Sequence, residues 1–109
     1  MEKYIINLNT NISDAIVMMS KSDCRTLVVT EKNKVIGVIS EGDIIRGFIN
    51  GFVSTNSINE IVQYNFKYVT EKNKNDAYNI IKENLILLLP VVKKNMILVD
   101  VITIKDFLK

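Results

Sequence analysis

The sequence predicts a mixed α/β (α+β) fold in which one βαββα unit occurs twice. Gly37-Val38-Ile39-Ser40-Glu41-Gly42-Asp43 returns as Asp100-Val101-Ile102-Thr103-Ile104-Lys105-Asp106, a shift of 63 positions. The same shift lays Thr26–Val29 on Leu89–Val92 with no insertion, and Asn11–Ala15 falls on Asn73–Ala77 with a shift of 62. Helical stripes and β-branched runs also follow each other in the same order in both halves. A repeat this long implies two similar units, residues 1–52 and 53–109, that bury their apolar faces against each other around a pseudo-twofold axis.

In the first unit Tyr4-Ile5-Ile6 reads as a short leading strand. Asn11 stands at an N-cap position with Asp14 three residues later, close to a capping box. Ile12, Ala15, Ile16 and Met19 follow on one helical stripe. Thr26–Thr30 and Val35–Ile39 are β-branched runs around a polar turn, which makes an antiparallel hairpin. Ile44, Ile45, Phe48 and Ile49 form a second helix, closed by Gly51. Residues 51–57 have loop composition and lead through a helical turn, Ile58 to Val62, into the second unit. There, Phe66–Val69 reads as the leading strand, and Asn73 and Asp76 start a helix carrying Ala77, Ile80 and Ile81. Ile86–Val92 and Met96–Ile102 form the hairpin, and a fourth helix begins at Thr103.

Composition narrows the function classes. At 109 residues with 48% hydrophobic and 24% charged content, the chain has one domain's worth of core and no signature of disorder. A net charge of +2 is too small for a nucleic-acid footprint. A single cysteine, Cys24, and no histidine leave no internal disulfide and no Cys/His zinc site. The longest apolar run, Leu85–Val92, falls far short of the ~18 residues of a membrane span. No signal-peptide pattern opens the chain, so the expected location is the cytoplasm.

Ser40 with Asp43, and Thr103 with Asp106, carry the chemistry. Each hydroxyl ends a strand and opens a helix, with an acid three residues on. A capping box accounts for either pair alone. Their recurrence in both units, and Gly37 beside the first, point further. A missing side chain leaves room for a ligand beside the strand. A helix N-terminus with free N–H groups favours phosphate. A fixed carboxylate can accept from two vicinal ribose hydroxyls. The combination suits a nucleoside phosphate.

The element order, the duplication and the Gly-h-h-Ser/Thr-x-x-Asp pattern resemble a pair of CBS domains, a regulatory module. The resemblance spans essentially the whole chain. Gly37–Asp43 matches the motif fully, and Leu89-Pro90-Val91-Val92 matches a typical strand of the family. The second motif keeps Thr103 and Asp106 but has Asp100 where glycine is usual. Ser40-Glu41-Gly42-Asp43-Ile44-Ile45-Arg46 is similar to a stretch found in CBS pairs attached to sugar-phosphate nucleotidyltransferases and isomerases. The first arginine of that stretch is Ile45 here, and Arg46 survives. The resemblance implies a nucleotide ligand (AMP, ADP, ATP or another), no required cofactor, and no catalysis by the module itself. It also implies a homodimer and control of an attached domain. Gly37, Ser40, Asp43, Arg46, Thr103 and Asp106 are the positions carried onto its ligand motif. The alternative is a pair that holds two chains together with empty clefts.

Further expectations follow. Arg25 precedes a hairpin strand, where it faces either a cleft or solvent. Cys24, without a histidine base, reads as an inert small residue. Asp14 and Asp76 read as helix-start acids, and Tyr4, Tyr64, Tyr68 and Tyr78 as packing residues. The short stretch after Thr103 suggests a piece of a longer chain that continues into a sugar nucleotidyltransferase domain. The carboxylate of Asp100 would repel a phosphate, so the cleft on Ser40 and Asp43 is expected to be the working one.

Overall fold

The computed structural model describes residues 1–108. The first unit runs β1 (Ile5–Asn7), α1 (Ile12–Ser22), β2 (Thr26–Glu31), β3 (Lys34–Ser40) and α2 (Glu41–Ile49). The second runs α3 (Lys74–Asn84), β4 (Leu88–Lys93) and β5 (Ile97–Thr103), with a 3-10 turn at Ile104–Phe107. The five strands form one sheet in the order β1-β2-β3-β5-β4. Its two halves meet where Lys34 pairs with Ile97.

Local chemistry sets the helix ends. The Asn11 side chain accepts from Asp14 N at 2.8 Å. The Asn73 side chain accepts from Asn75 N at 3.0 Å and Asp76 N at 3.2 Å. Both helices end on a left-handed residue, Asp23 (φ 54°) in α1 and Leu85 (φ 53°) in α3, again 62 positions apart.

The duplication holds with one correction. Val29 faces Gly37 across β2–β3, and Val91 faces Asp100 across β4–β5. A bulge follows Val29 in one hairpin and Val91 in the other. The shift is therefore 62 through β4 and becomes 63 only in β5, so an insertion lies between the motifs after all. It sits in the turn. Lys32-Asn33 closes the first hairpin with φ of 53° and 66°, whereas Lys94-Asn95-Met96 closes the second with φ of 65° and 61° at its last two residues. Two consecutive positive φ values match the strand twist in a two-residue turn, and a third residue resets the register.

Two further expectations change. Phe66–Val69 is no strand. Val69 alone bridges Val91, while the preceding residues turn away toward the cleft described below. The fourth helix is the 3-10 turn; its expected continuation at Lys109 lies outside the described residues.

Three apolar clusters hold the fold. Ile12, Leu27, Ile39 and Ile58 centre the first unit, and Ala77, Ile81, Leu89 and Ile102 the second. Between them Cys24, Val28 and Val35 pack with Leu88, Val92 and Val101. That middle cluster draws on both units, which is how one short chain builds a core of useful size. The linker adds a crossing over β3: Val38 N donates to Gln63 O at 3.1 Å, and Gln63 N to Val38 O at 2.8 Å. Gly37 permits this approach, because a Cβ there would lie 2.5 Å from Val62 Cγ1 and 2.6 Å from Gln63 O. Gly37→Val should therefore cost about 1–3 kcal/mol in chemical denaturation, the scale of an overpacked interior. Gly42→Ala meets only the flexible end of Arg46, at 3.2 Å, and should shift the midpoint far less.

Candidate functional site

The first motif forms at the junction of β3 and α2. Ser40, extended at φ −111°, is the N-cap of α2. Its Oγ accepts from Asp43 N at 3.2 Å, and its N donates to Asp43 Oδ2 at 2.8 Å. The Ser40 hydroxyl also lies 3.0 Å from Oδ2. Asp43 Oδ1 takes Arg46 Nη2 at 2.7 Å and Gln63 Nε2 at 2.8 Å. Four donors thus surround a carboxylate whose side chain is only 3% exposed, and they match its capacity of about four acceptor sites.

Two expectations about this motif need correction. Glu41 N is already spent on Arg25 O at 3.0 Å and Asp43 N on Ser40, so α2 does not present an open row of amides. Gly37 does not line a ligand space, because Val62 and Gln63 fill the room its missing side chain leaves.

Ser40, Asp43 and Arg46 do border a cleft of about 490 Å³. The linker supplies one wall with Gln63, Asn65, Phe66 and Lys67, and the end of α3 with the entry to β4 supplies the other. That volume lies in the range of small-molecule sites, about 300–1,000 Å³. Arg25, on a left-handed backbone (φ 57°), borders the cleft and is also solvent-exposed, so its two expected settings coexist. Arg25, Arg46 and Lys67 place three basic residues on the rim, where Glu41 also stands and Arg46 is paired with Asp43. Leu85, 91% exposed, joins Phe66 and Val38 as apolar surface on which a flat ring can lie. Gln63, Asn65, Lys67 and Leu85 were not legible as site residues. Their only sequence signal was proximity to the join between the units.

The second motif is built alike but sits differently. Thr103 is buried and its N donates to Asp106 Oδ2 at 2.9 Å, while Asp106 itself is exposed. The positions equivalent to Leu85 and Gly42 are Asp23 and Lys105. The Asp23 carboxylate meets Lys105 at 3.0 Å and Lys3 at 3.9 Å, so ion pairs stand beside the second motif where Leu85 and Gly42 stand beside the first. The hydrogen bond from Lys105 holds the Asp23 carboxyl below its usual range. Asp100 is neutralised by Lys72, whose hydrogen bond likewise lowers the Asp100 pKa while that of Lys72 rises. The asymmetry between clefts thus rests on Asp23 and its lysines rather than on an unpaired Asp100 charge.

Other candidates resolve simply. Cys24 is buried, and burial raises its thiol pKa, which disfavours the reactive thiolate. The N–H of Asp14 and of Asp76 each caps onto an asparagine, and the two acids lie on different helices. Tyr68 packs against Phe66 and Tyr78 against Phe107. Among the described residues no group of three or more His, Cys, Asp or Glu is placed to hold a metal ion, and no helix is long and apolar enough to cross a membrane.

A duplicated α+β module with a strand-to-helix hydroxyl–acid pair in each unit defines a class of paired βαββα domains. Residues 2–50 match the family model of the CBS domain. The chain carries this match over its first unit. It is 30% identical over 105 residues to an uncharacterised 17.7 kDa protein in the bps2 3' region of Acidianus ambivalens, covering 94% of this chain and 63% of that one. The chain thus spans less than two thirds of that relative. Its fold is similar to that of a CBS domain protein from Pyrobaculum aerophilum complexed with AMP: TM-score 0.80, 20% identity, 95% of this chain and 82% of the other. It is also similar to the cytosolic domain of the Mg2+ channel MgtE in complex with ATP: TM-score 0.77, 18% identity, 97% of this chain and 44% of the other.

Proposed function

We propose that this module is a regulatory sensor that binds an adenine nucleotide in the cleft on Ser40 and Asp43. The open cleft carries the reading: a hydroxyl–carboxylate pair, three basic residues on the rim and an apolar wall in about 490 Å³. Two proteins of the same fold are described in complex with AMP and with ATP, which supports the same ligand class here. The ribose diol goes to Asp43, the phosphate to the rim of Arg25, Arg46 and Lys67, and the base to Leu85 and Phe66. Thr103 and Asp106 form the weaker site, since Asp23 and its lysines stand beside it. A cytoplasmic location fits such a ligand.

The similarity of Ser40–Arg46 to the stretch in nucleotidyltransferase-linked pairs supports the finer reading that the module controls an attached sugar-phosphate nucleotidyltransferase domain. The reading frame beyond the Lys109 codon decides this, and a stop there would rule it out.

Self-association is favoured by a separate observation. Ile16 and Val17 of α1 and Ile45, Phe48 and Ile49 of α2 are exposed, Ile49 to 76%. Ile16, Ile45 and Phe48 line a groove of about 550 Å³ between the helices. A contiguous apolar face of this kind suits a second copy of the chain, and a twofold dimer closes it. If this face alone matters, the module is an assembly device with no ligand.

Two measurements separate these readings. In a thermal-shift screen with AMP, ADP, ATP, CMP, GTP and S-adenosylmethionine, an adenine nucleotide should stabilise the protein by about 2.7 kcal/mol at a hundredfold excess over Kd. In calorimetric titration Asp43→Ala should weaken that ligand at least about tenfold, the scale of hydrogen bonds to a charged group. Asp106→Ala should change it far less; the reverse order would reassign the site. Light scattering should give a dimer, and Ile49→Glu a monomer; a wild-type monomer at high protein concentration would remove the assembly reading.

A further inference from the structure

We propose that the side chain of Gln63 occupies the ligand's place on Asp43, and that a diol-bearing ligand binds by displacing it. This rests on the reading that a nucleotide uses Asp43. The two oxygens of that carboxylate are committed differently. Oδ2 belongs to the helix cap, held by Ser40 N at 2.8 Å and the Ser40 hydroxyl at 3.0 Å. Oδ1 is held by Arg46, one turn along the same helix, and by Gln63, twenty positions away on the linker. Releasing Oδ2 dismantles the start of α2. Releasing Gln63 costs only one hydrogen bond, from a neutral amide to the carboxylate, and Arg46 stays to balance the charge.

Gln63 is suited to this exchange. Its main chain is pinned to Val38 by hydrogen bonds in both directions, so the side chain can leave while the linker stays in place. An amide N–H donates as a ribose hydroxyl does and leaves the carboxylate charge unchanged. Gln63 borders the same cleft as Arg25, Ser40 and Lys67, so a departing side chain swings within the space the ligand enters. The second motif shows that the cap does not require such a partner. Asp106 accepts from Thr103 N and is exposed, and among the described residues no amide side chain bonds to it. Gln63 thus lowers apparent affinity by competing from within the molecule, where its effective concentration is high. It also makes entry conditional: a ligand without a donor for Oδ1 has nothing to offer in exchange.

Calorimetric titration with AMP tests this on the full chain. Gln63→Ala should bind about tenfold more tightly than wild type, the scale of one hydrogen bond to a charged acceptor. Gln63→Met, which keeps length and lacks the donor, should bind more tightly as well, which covers poor folding of the alanine variant. The gain should vanish in Gln63→Ala/Asp43→Ala. In 15N spectra of the ligand-free protein the Gln63 side-chain amide should exchange slowly with solvent. Added AMP should release it while the backbone N–H bonded to Val38 stays protected. If wild type binds AMP and both Gln63 variants bind equally or less well, the displacement is wrong and the site reading stands. If neither wild type nor variants bind any nucleotide of the screen, the site reading fails and the displacement falls with it.

Discussion

The crossing of the linker over β3 is the contact on which the rest of the molecule depends. The two-way pairing of Val38 with Gln63 is one short bridge, yet it fixes where the chain leaves the first unit. From there Asn65–Lys67 form a cleft wall and the chain continues to α3. Val62 is buried against the first core, so the crossing is anchored on its apolar side as well. All of this requires that residue 37 lack a Cβ. The glycine of the motif therefore acts on the ligand space indirectly, by admitting the segment that walls it.

The duplication supplies two clefts, and side-chain identity separates them. Equivalent backbone positions carry Leu85 and Gly42 in one and Asp23 and Lys105 in the other, with Phe66 lining the first and Lys3 paired to Asp23 at the second. An apolar residue, an absent side chain and a ring leave a lined, open space. A carboxylate between two ammonium groups sets charge beside the other. These ion pairs are half-exposed, so they add little to stability. Their effect lies in occupancy: a ligand entering there has to separate them.

Capping and periodicity were legible because they are local. Asn11, Ser40 and Asn73 open their helices as expected, and the buried stripes of α1 and α3 fall on Ile12, Ala15, Met19, Ala77 and Ile81. The exposed Ile16 shows the limit of periodicity, which marks an apolar face but not what covers it. The register of β4 was not legible. Leu88–Val92 is apolar at every position, so shifts of 62 and 63 fit its pattern equally well, and the turn length decides between them. Gln63 was illegible for a different reason. Its chemistry comes from a partner twenty residues away, brought near by a crossing that only the folded chain contains.

The environment of Asp43 connects stability with the proposed ligand site. A carboxylate only 3% exposed has to be fully hydrogen-bonded, since an unmet charge in that position is costly. Ser40 and Arg46 meet part of that need from within the strand–helix junction, and the linker meets the rest. The need persists when a ligand arrives, so whatever replaces the linker's donor has to satisfy the same oxygen. Ligand and linker are then alternatives at one acceptor. Such an arrangement couples an occupied cleft to the segment joining the two units, with no large movement of either core. On the proposed displacement, one side chain changes partner while its own backbone stays in place.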